Sequence, residues 1–239
     1  MRRSLVLAVL LLLLAAGSVA VGPERSGLAA SGTAAGAPPR LAPVGPFRQT
    51  GRGQPVFRTE AVTAARLGSS HRAGCPVGVA DLRLVTVTHL RFDGTTARGQ
   101  LVVHRDAAAA VVRAFRSLLA ARFPVAQVRT VEAYGGDDAR SMAADNTSAY
   151  NCRRTTGGTG WSEHAYGRAV DLNPVQNPYV RGTTVLPAAG RAYLDRSRPR
   201  PGMVLAGSAA VQAFAAVGWG WGGSFSSSKD FQHFSANGR

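Results

Sequence analysis

Residues 82–92 alternate buried-type and polar side chains and are dense in β-branched residues, with Leu84, Val85, Thr86, Val87 and Thr88 in succession. A period of two in such a run predicts a strand. Asp93-Gly94 marks a turn, and residues 99–104 supply the partner strand, so the pair reads as a hairpin. An Ala/Val/Leu/Phe-rich run then extends from Asp106 to about residue 122, which predicts a helix with Asp106 as its N-cap and Pro124 as its stop. A further strand is expected over 125–134, a second helix over 208–217 closed by Gly218, and a last strand over 231–234. Residues 56–67 suit a short helix, and Gly74-Cys75-Pro76 breaks the segment before it. The polar, small-residue stretch 137–154 and the run Thr155-Thr156-Gly157-Gly158-Thr159-Gly160 read as loop, the kind of segment in which sites are built on a rigid scaffold. The pattern predicts an α+β fold, a small antiparallel sheet with flanking helices in a single domain.

The N-terminus departs from this pattern. Arg2 and Arg3 precede an apolar run over 5–16 and the small residues Ser18-Val19-Ala20, the layout of an export signal over 1–20. The run is short for a membrane span, and an uncleaved anchor is the alternative to cleavage after Ala20. No cysteine follows it, which argues against a lipoprotein. Residues 21–55, rich in Gly, Ala and Pro, read as a flexible linker. Export permits oxidation, so Cys75 and Cys152, the two cysteines present, are expected to form a disulfide rather than remain as two buried thiols. With 28 basic and 13 acidic residues the net charge is +15, a field that favours polyanionic surroundings. For an exported chain those are anionic cell-wall polymers, anionic lipids and peptide carboxylates; without a nucleic-acid-binding motif, nucleic acid is not an expected partner.

Candidate chemistry narrows the picture to two of five histidines. His89 and His104 fall inside the predicted hairpin and His71 in a polar loop, where packing or surface roles are the usual reading. His164 and His233 each have a carboxylate close by, Asp171 and Asp230. Imidazole nitrogen and carboxylate oxygen are zinc ligands, and an open zinc site takes three such groups. For His164 and Asp171 to share one ion the chain must double back between them, because seven residues span about 10 Å in a helix and more than 20 Å in a strand. Gly167, midway, is the natural place for that reversal.

The stretch Ser162-Glu163-His164-Ala165-Tyr166-Gly167-Arg168-Ala169-Val170-Asp171 resembles the S-x-H-x-x-G-x-A-x-D signature of the zinc D-alanyl-D-alanine carboxypeptidase and L-alanyl-D-glutamate peptidase family. Asp230-Phe231-Gln232-His233-Phe234 looks like its C-terminal signature, and Asn173-Pro174, Asn177-Pro178-Tyr179 and Gly218-Trp219-Gly220-Trp221-Gly222-Gly223 look like its D-alanyl-D-alanine carboxypeptidase-like branch. The resemblance covers roughly residues 125–234. It implies a Hedgehog/DD-peptidase-like single catalytic domain, with 56–124 as its N-terminal part and 125–239 as the zinc peptidase core. It further implies one Zn²⁺ held by His164, Asp171 and His233, Asp230 as general base, and Arg153, favoured over Arg154, as the group that steadies the oxyanion. Asp230 stands where many relatives carry Glu, which resembles the L-alanyl-D-glutamate branch and leaves the bond cleaved open. Ser162 either orients a ligand or satisfies a turn. Trp219 and Trp221 either wall a substrate groove or pack. The implied activity is that of a secreted or wall-associated monomeric peptidase hydrolysing peptidoglycan stem peptides; the alternative is a catalytically silent wall-binding module of the same fold.

Overall fold

The computed structural model of the protein describes residues 54–239. The expected signal over 1–20, and the linker up to residue 53, lie outside the described residues. In chain order the elements are β1 (Arg58–Ala61), α1 (Ala64–Leu67), β2 (Leu82–Leu90), β3 (Thr96–His104), α2 (Ala108–Ala120), β4 (Gln127–Val128), α3 (Asp138–Ala143), β5 (Asn146–Thr147), β6 (Ala169–Asp171), β7 (Tyr179–Arg181), β8 (Thr184–Leu186), α4 (Ala209–Ala215), β9 (Gly220–Trp221), β10 (Lys229–Asp230) and β11 (His233–Ser235). The class is α+β as expected, but the strands form three small antiparallel sheets, β1-β2-β3, β10-β7-β8 and β6-β11-β9, and a parallel pair β4-β5, rather than one sheet. Among the described residues no helix is long and apolar enough to cross a membrane.

The hairpin is the longest regular unit. β2 and β3 pair antiparallel from Leu82↔His104 to Leu90↔Thr96, and the turn closes on Gly94 at φ 80°, with Asp93 Oδ1 accepting from Thr95 N. One face, with Val85, Val87, Leu101 and Val103 all buried, packs on α2, whose Val111, Ala114, Phe115 and Leu118 recur at helical spacing. Phe214 of α4, stacked on Phe234 of β11 with ring centroids 4.0 Å apart, joins the same core. This ties the C-terminal strand of the candidate site to the main hydrophobic mass. A second, smaller cluster of Leu67, Leu82, Leu84, Val102, Tyr150 and Cys152 covers part of the hairpin's other face.

Four local expectations need correction. Residues 56–67 hold an edge strand, β1, before the single turn of α1, because the backbone at 58–61 pairs with β2 and Thr63 Oγ1 caps α1. Asp106 does not cap α2: the helix begins after Ala107 without a side-chain cap. The Asp106 carboxylate instead lies 3.1 Å from Arg168 Nη2 and 3.4 Å from His104 Nδ1. The strand expected over 125–134 shrinks to β4, followed by a 3₁₀ turn over Val131–Tyr134. Its apolar residues Val125, Val128 and Val131 are buried by packing, not by an extended ladder. Within the loop expected over 137–154, Asp137 caps the short helix α3, its Oδ1 accepting from Arg140 N at 3.0 Å, and β5 comes next.

Cys75 and Cys152 form a disulfide with Cα atoms 5.8 Å apart, as expected.

Candidate metal centre

His164 sits in a 3₁₀ turn over Glu163–Tyr166. Ser162 precedes it with extended backbone and its Oγ accepts from His164 N at 3.3 Å, so of the two readings of this serine the hydroxyl satisfies the turn that carries the ligand. Gly167 ends the turn at φ 67°, and its carbonyl accepts from His104 N at 2.8 Å. A Cβ at Gly167 would come within 2.5 Å of that same nitrogen, so both the left-handed backbone and the close approach to β3 require glycine. The chain thus reverses where the sequence placed the reversal. It continues into β6, where Asp171 lies opposite His233 of β11 in the antiparallel register. Directly opposed residues project to the same face, which brings the second signature onto the first.

The three side chains are buried and converge. Asp171 Oδ2 lies 3.1 Å from His164 Nε2, Asp171 Oδ1 lies 3.1 Å from His233 Nδ1, and the two imidazole nitrogens are 3.2 Å apart. The outer nitrogen of each ring meets a backbone acceptor: His164 Nδ1 donates to Ala149 O at 2.6 Å, and His233 Nε2 to Arg239 O at 2.9 Å. Such acceptors hold each ring by its outer nitrogen and turn His164 Nε2 and His233 Nδ1 inward, where each can offer a lone pair to a cation. Two inward nitrogens and a carboxylate packed this closely need a cation among them, a metal ion or a proton. Ligand atoms on a tetrahedral zinc with bonds of about 2.0–2.1 Å stand about 3.3 Å apart. The donor set and its spacing therefore fit zinc.

The surrounding electrostatics agree with a site built for positive charge. Burial alone would favour a neutral Asp171, yet the adjacent His164 and His233 outweigh it and hold its carboxyl far below the usual carboxylate range. Burial likewise opposes charge on His233, but the hydrogen bond to Asp171 and the charges of Asp171 and Asp230 push its affinity for a proton up to about 9.

A cleft of about 420 Å³ opens beside the cage, with His164, His233, Asp230 and Arg153 in its wall. Burial, with the charge of Asp171 adding to it, raises the Asp230 carboxyl above its ordinary value despite the opposing His233, His164 and Arg153. Asp230 Oδ1 is buried with no hydrogen-bond partner among the described residues. Arg153 Nη2 lies 4.0 Å from Asp171 Oδ2, and its Nε lies 2.9 Å from Asp138 Oδ1. Asp138, on α3, is a partner that sequence reasoning did not single out. Arg154 turns away, its guanidinium stacked 3.8 Å from the centroid of the Trp161 ring.

The tryptophans of the glycine-rich segment do not line this cleft. Trp219 is buried against Phe214, and Trp221 packs on Phe231 while its Nε1 donates to Phe231 O. The aromatic walls are Trp161, Tyr179 and Phe225 instead. Trp161 was within reach of sequence reasoning, since it directly precedes the first signature.

Residues 155–236 match the D-alanyl-D-alanine carboxypeptidase family model. The carboxypeptidase match spans both signatures and so holds His164, Asp171, Asp230 and His233, whereas Arg153 and Cys152 lie just before it. It supports the family resemblance read from the sequence and a hydrolase of the peptidase class. No curated protein and no solved structure matches the chain.

Proposed function

We propose that the protein is an exported zinc peptidase of the Hedgehog/DD-peptidase fold that hydrolyses a peptide bond in peptidoglycan stem peptides, of the D-alanyl-D-alanine carboxypeptidase or L-alanyl-D-glutamate endopeptidase type. One observation carries the reading: three buried side chains converge within 3.2 Å, both rings turn a nitrogen inward, and a buried carboxylate oxygen of Asp230 without a partner among the described residues stands beside them. His164, Asp171 and His233 would hold the ion, which when bound supplies Lewis acidity and a water acidified toward neutrality. Asp230 accepts a proton from the attacking water and returns it to the departing amine, so that a C–O bond forms as the C–N bond breaks. Burial suits it to that exchange, because a carboxylate of raised proton affinity both takes and gives a proton more readily near neutrality. Arg153, in an ion pair with Asp138 at 2.9 Å that lacks hydrogen-bond geometry at Nε, offers its donors to the negative charge developing on the carbonyl oxygen. Export agrees with the disulfide, and basic surroundings suit a substrate rich in carboxylates.

The test is mass spectrometry of purified muropeptides incubated with the protein, with and without a chelator. Shortened stems are expected only without chelator, and Asp230→Ala should lower the rate by at least about a hundredfold with bound zinc unchanged. Parental turnover by that variant would overturn the assignment of the base. Zinc retained by the parent protein without any product would favour a wall-binding module instead.

A further inference from the structure

A cavity of about 780 Å³ lies away from the metal centre and shares no wall residue with the cleft. Its floor is the part of the β1-β2-β3 sheet that the smaller hydrophobic cluster leaves uncovered. There Arg58, Thr86 and Gln100 stand in one row across the three strands, and Arg98 lies two residues from Gln100 on the same face. One wall is β1 and α1; the other runs from Val128 to Ala133. Gly99 is needed where the second wall meets the floor, since a Cβ there would fall 2.3 Å from Val128 Cβ.

Four guanidinium groups belong to this trough, those of Arg58, Arg66, Arg98 and Arg129. Arg66 is aimed by a hydrogen bond to Gln100 Oε1 at 2.9 Å, and Arg129 by the ring of Tyr134. Arg58 meets Glu60 at 3.4 Å, but both side chains are well exposed, so the pairing is weak. Arg98 has no acidic partner among the described residues. The only acid in the lining, Glu132, is turned to the backbone, accepting from Ser70 N at 3.2 Å. The groove therefore carries an uncompensated run of forks, which match the geometry of phosphate oxygens. No Phe, Tyr or Trp lines it, so it lacks the stacking platforms by which proteins hold single-stranded nucleic acid.

We propose that this trough binds a linear phosphodiester polyanion without bases, a second binding site distinct from the metal centre. The site does not depend on the peptidase reading. A labelled glycerol-phosphate oligomer, titrated into the full-length protein at physiological ionic strength and followed by fluorescence anisotropy, tests it. The double variant Arg98→Glu/Arg129→Glu is expected to weaken binding at least about tenfold and to flatten the dependence of affinity on salt. Muropeptide cleavage and circular dichroism should be unchanged. Arg113→Glu/Arg181→Glu, which removes the same charge from exposed positions elsewhere, should cost less than about threefold. Equal loss in both double variants would overturn the proposal in favour of a diffuse field. So would inorganic phosphate competing as well as the oligomer, residue for residue, since that means a lone anion site. Poly-glutamate binding as tightly would replace phosphate by carboxylate as the ligand, and tighter binding of a single-stranded oligonucleotide would replace it by nucleic acid; either sinks the assignment.

Discussion

A guanidinium that meets a short-lived negative charge has to be held in place, and the nearest acid to Arg153 is Asp138, in an ion pair 2.9 Å from its Nε. Asp138→Asn keeps the shape of the side chain and removes the charge. In the proposed reaction kcat should fall about tenfold, with KM and bound zinc little changed, because the loss concerns charge that appears only in the transition state. Steady-state kinetics beside a zinc assay checks this, and zinc loss would show that Asp138 acts on the cage instead. At this scale the convergence of His164, Asp171 and His233, with Asp230 beside them, was legible in the sequence: all four sit in two short signatures with distinctive spacing. Asp138 was not, because its tie to Arg153 joins α3 to a loop and leaves no local pattern. Trp219 and Trp221 stayed undecided for a related reason: sequence shows that aromatics stand near a site, but which way they turn depends on partners such as Phe214 and Phe231.

Among the elements, β2 carries a cost of its own. His89 is buried, its Nδ1 has no partner among the described residues, and burial, helped by the charge of Arg91, pushes its proton affinity down from 6.5 to about 4. A folded-state value below the unfolded one means that the unfolded chain binds the extra proton first. The stability contribution is thus complete above pH 6.5 and is lost as the pH falls toward 4, by about 3 kcal/mol in all. His89→Leu should remove most of that loss, so that urea midpoints at pH 7 and pH 4.5 differ less in the variant than in the parent. The hairpin, α2 and α4 were readable because long periodic runs dominate their own conformation. Elements of two to six residues were not: β1 exists through its pairing with β2, β4 and β5 through each other, and α3 through one Asp137 cap, all settled by contacts distant from or too small for any periodicity.

For the molecule as a whole, the Cys75–Cys152 bridge closes a long loop and fastens the segment that leads into Arg153 to the smaller hydrophobic cluster. Reduction, or Cys75→Ser/Cys152→Ser, should lower stability by about 4 kcal/mol on the chain-entropy account. Denaturant unfolding with and without reductant measures it, and a midpoint insensitive to reductant would show that the bridge contributes nothing. The ladder between β6 and β11 has a different consequence. It is three residues long, and with the flanking bond from Leu172 N to Gln232 O it sets His233 across from Asp171. Slipping by one residue turns every side chain of a strand to its opposite face, so a displaced β11 does not distort the cage but abolishes it. Damage to this ladder should therefore be digital. In a variant such as Ala236→Pro, which strips the bond from Ala236 N to Arg168 O at the end of this ladder, zinc titration should find a smaller fraction of loaded molecules, each turning over at the parental rate, rather than a uniform population of slow enzymes.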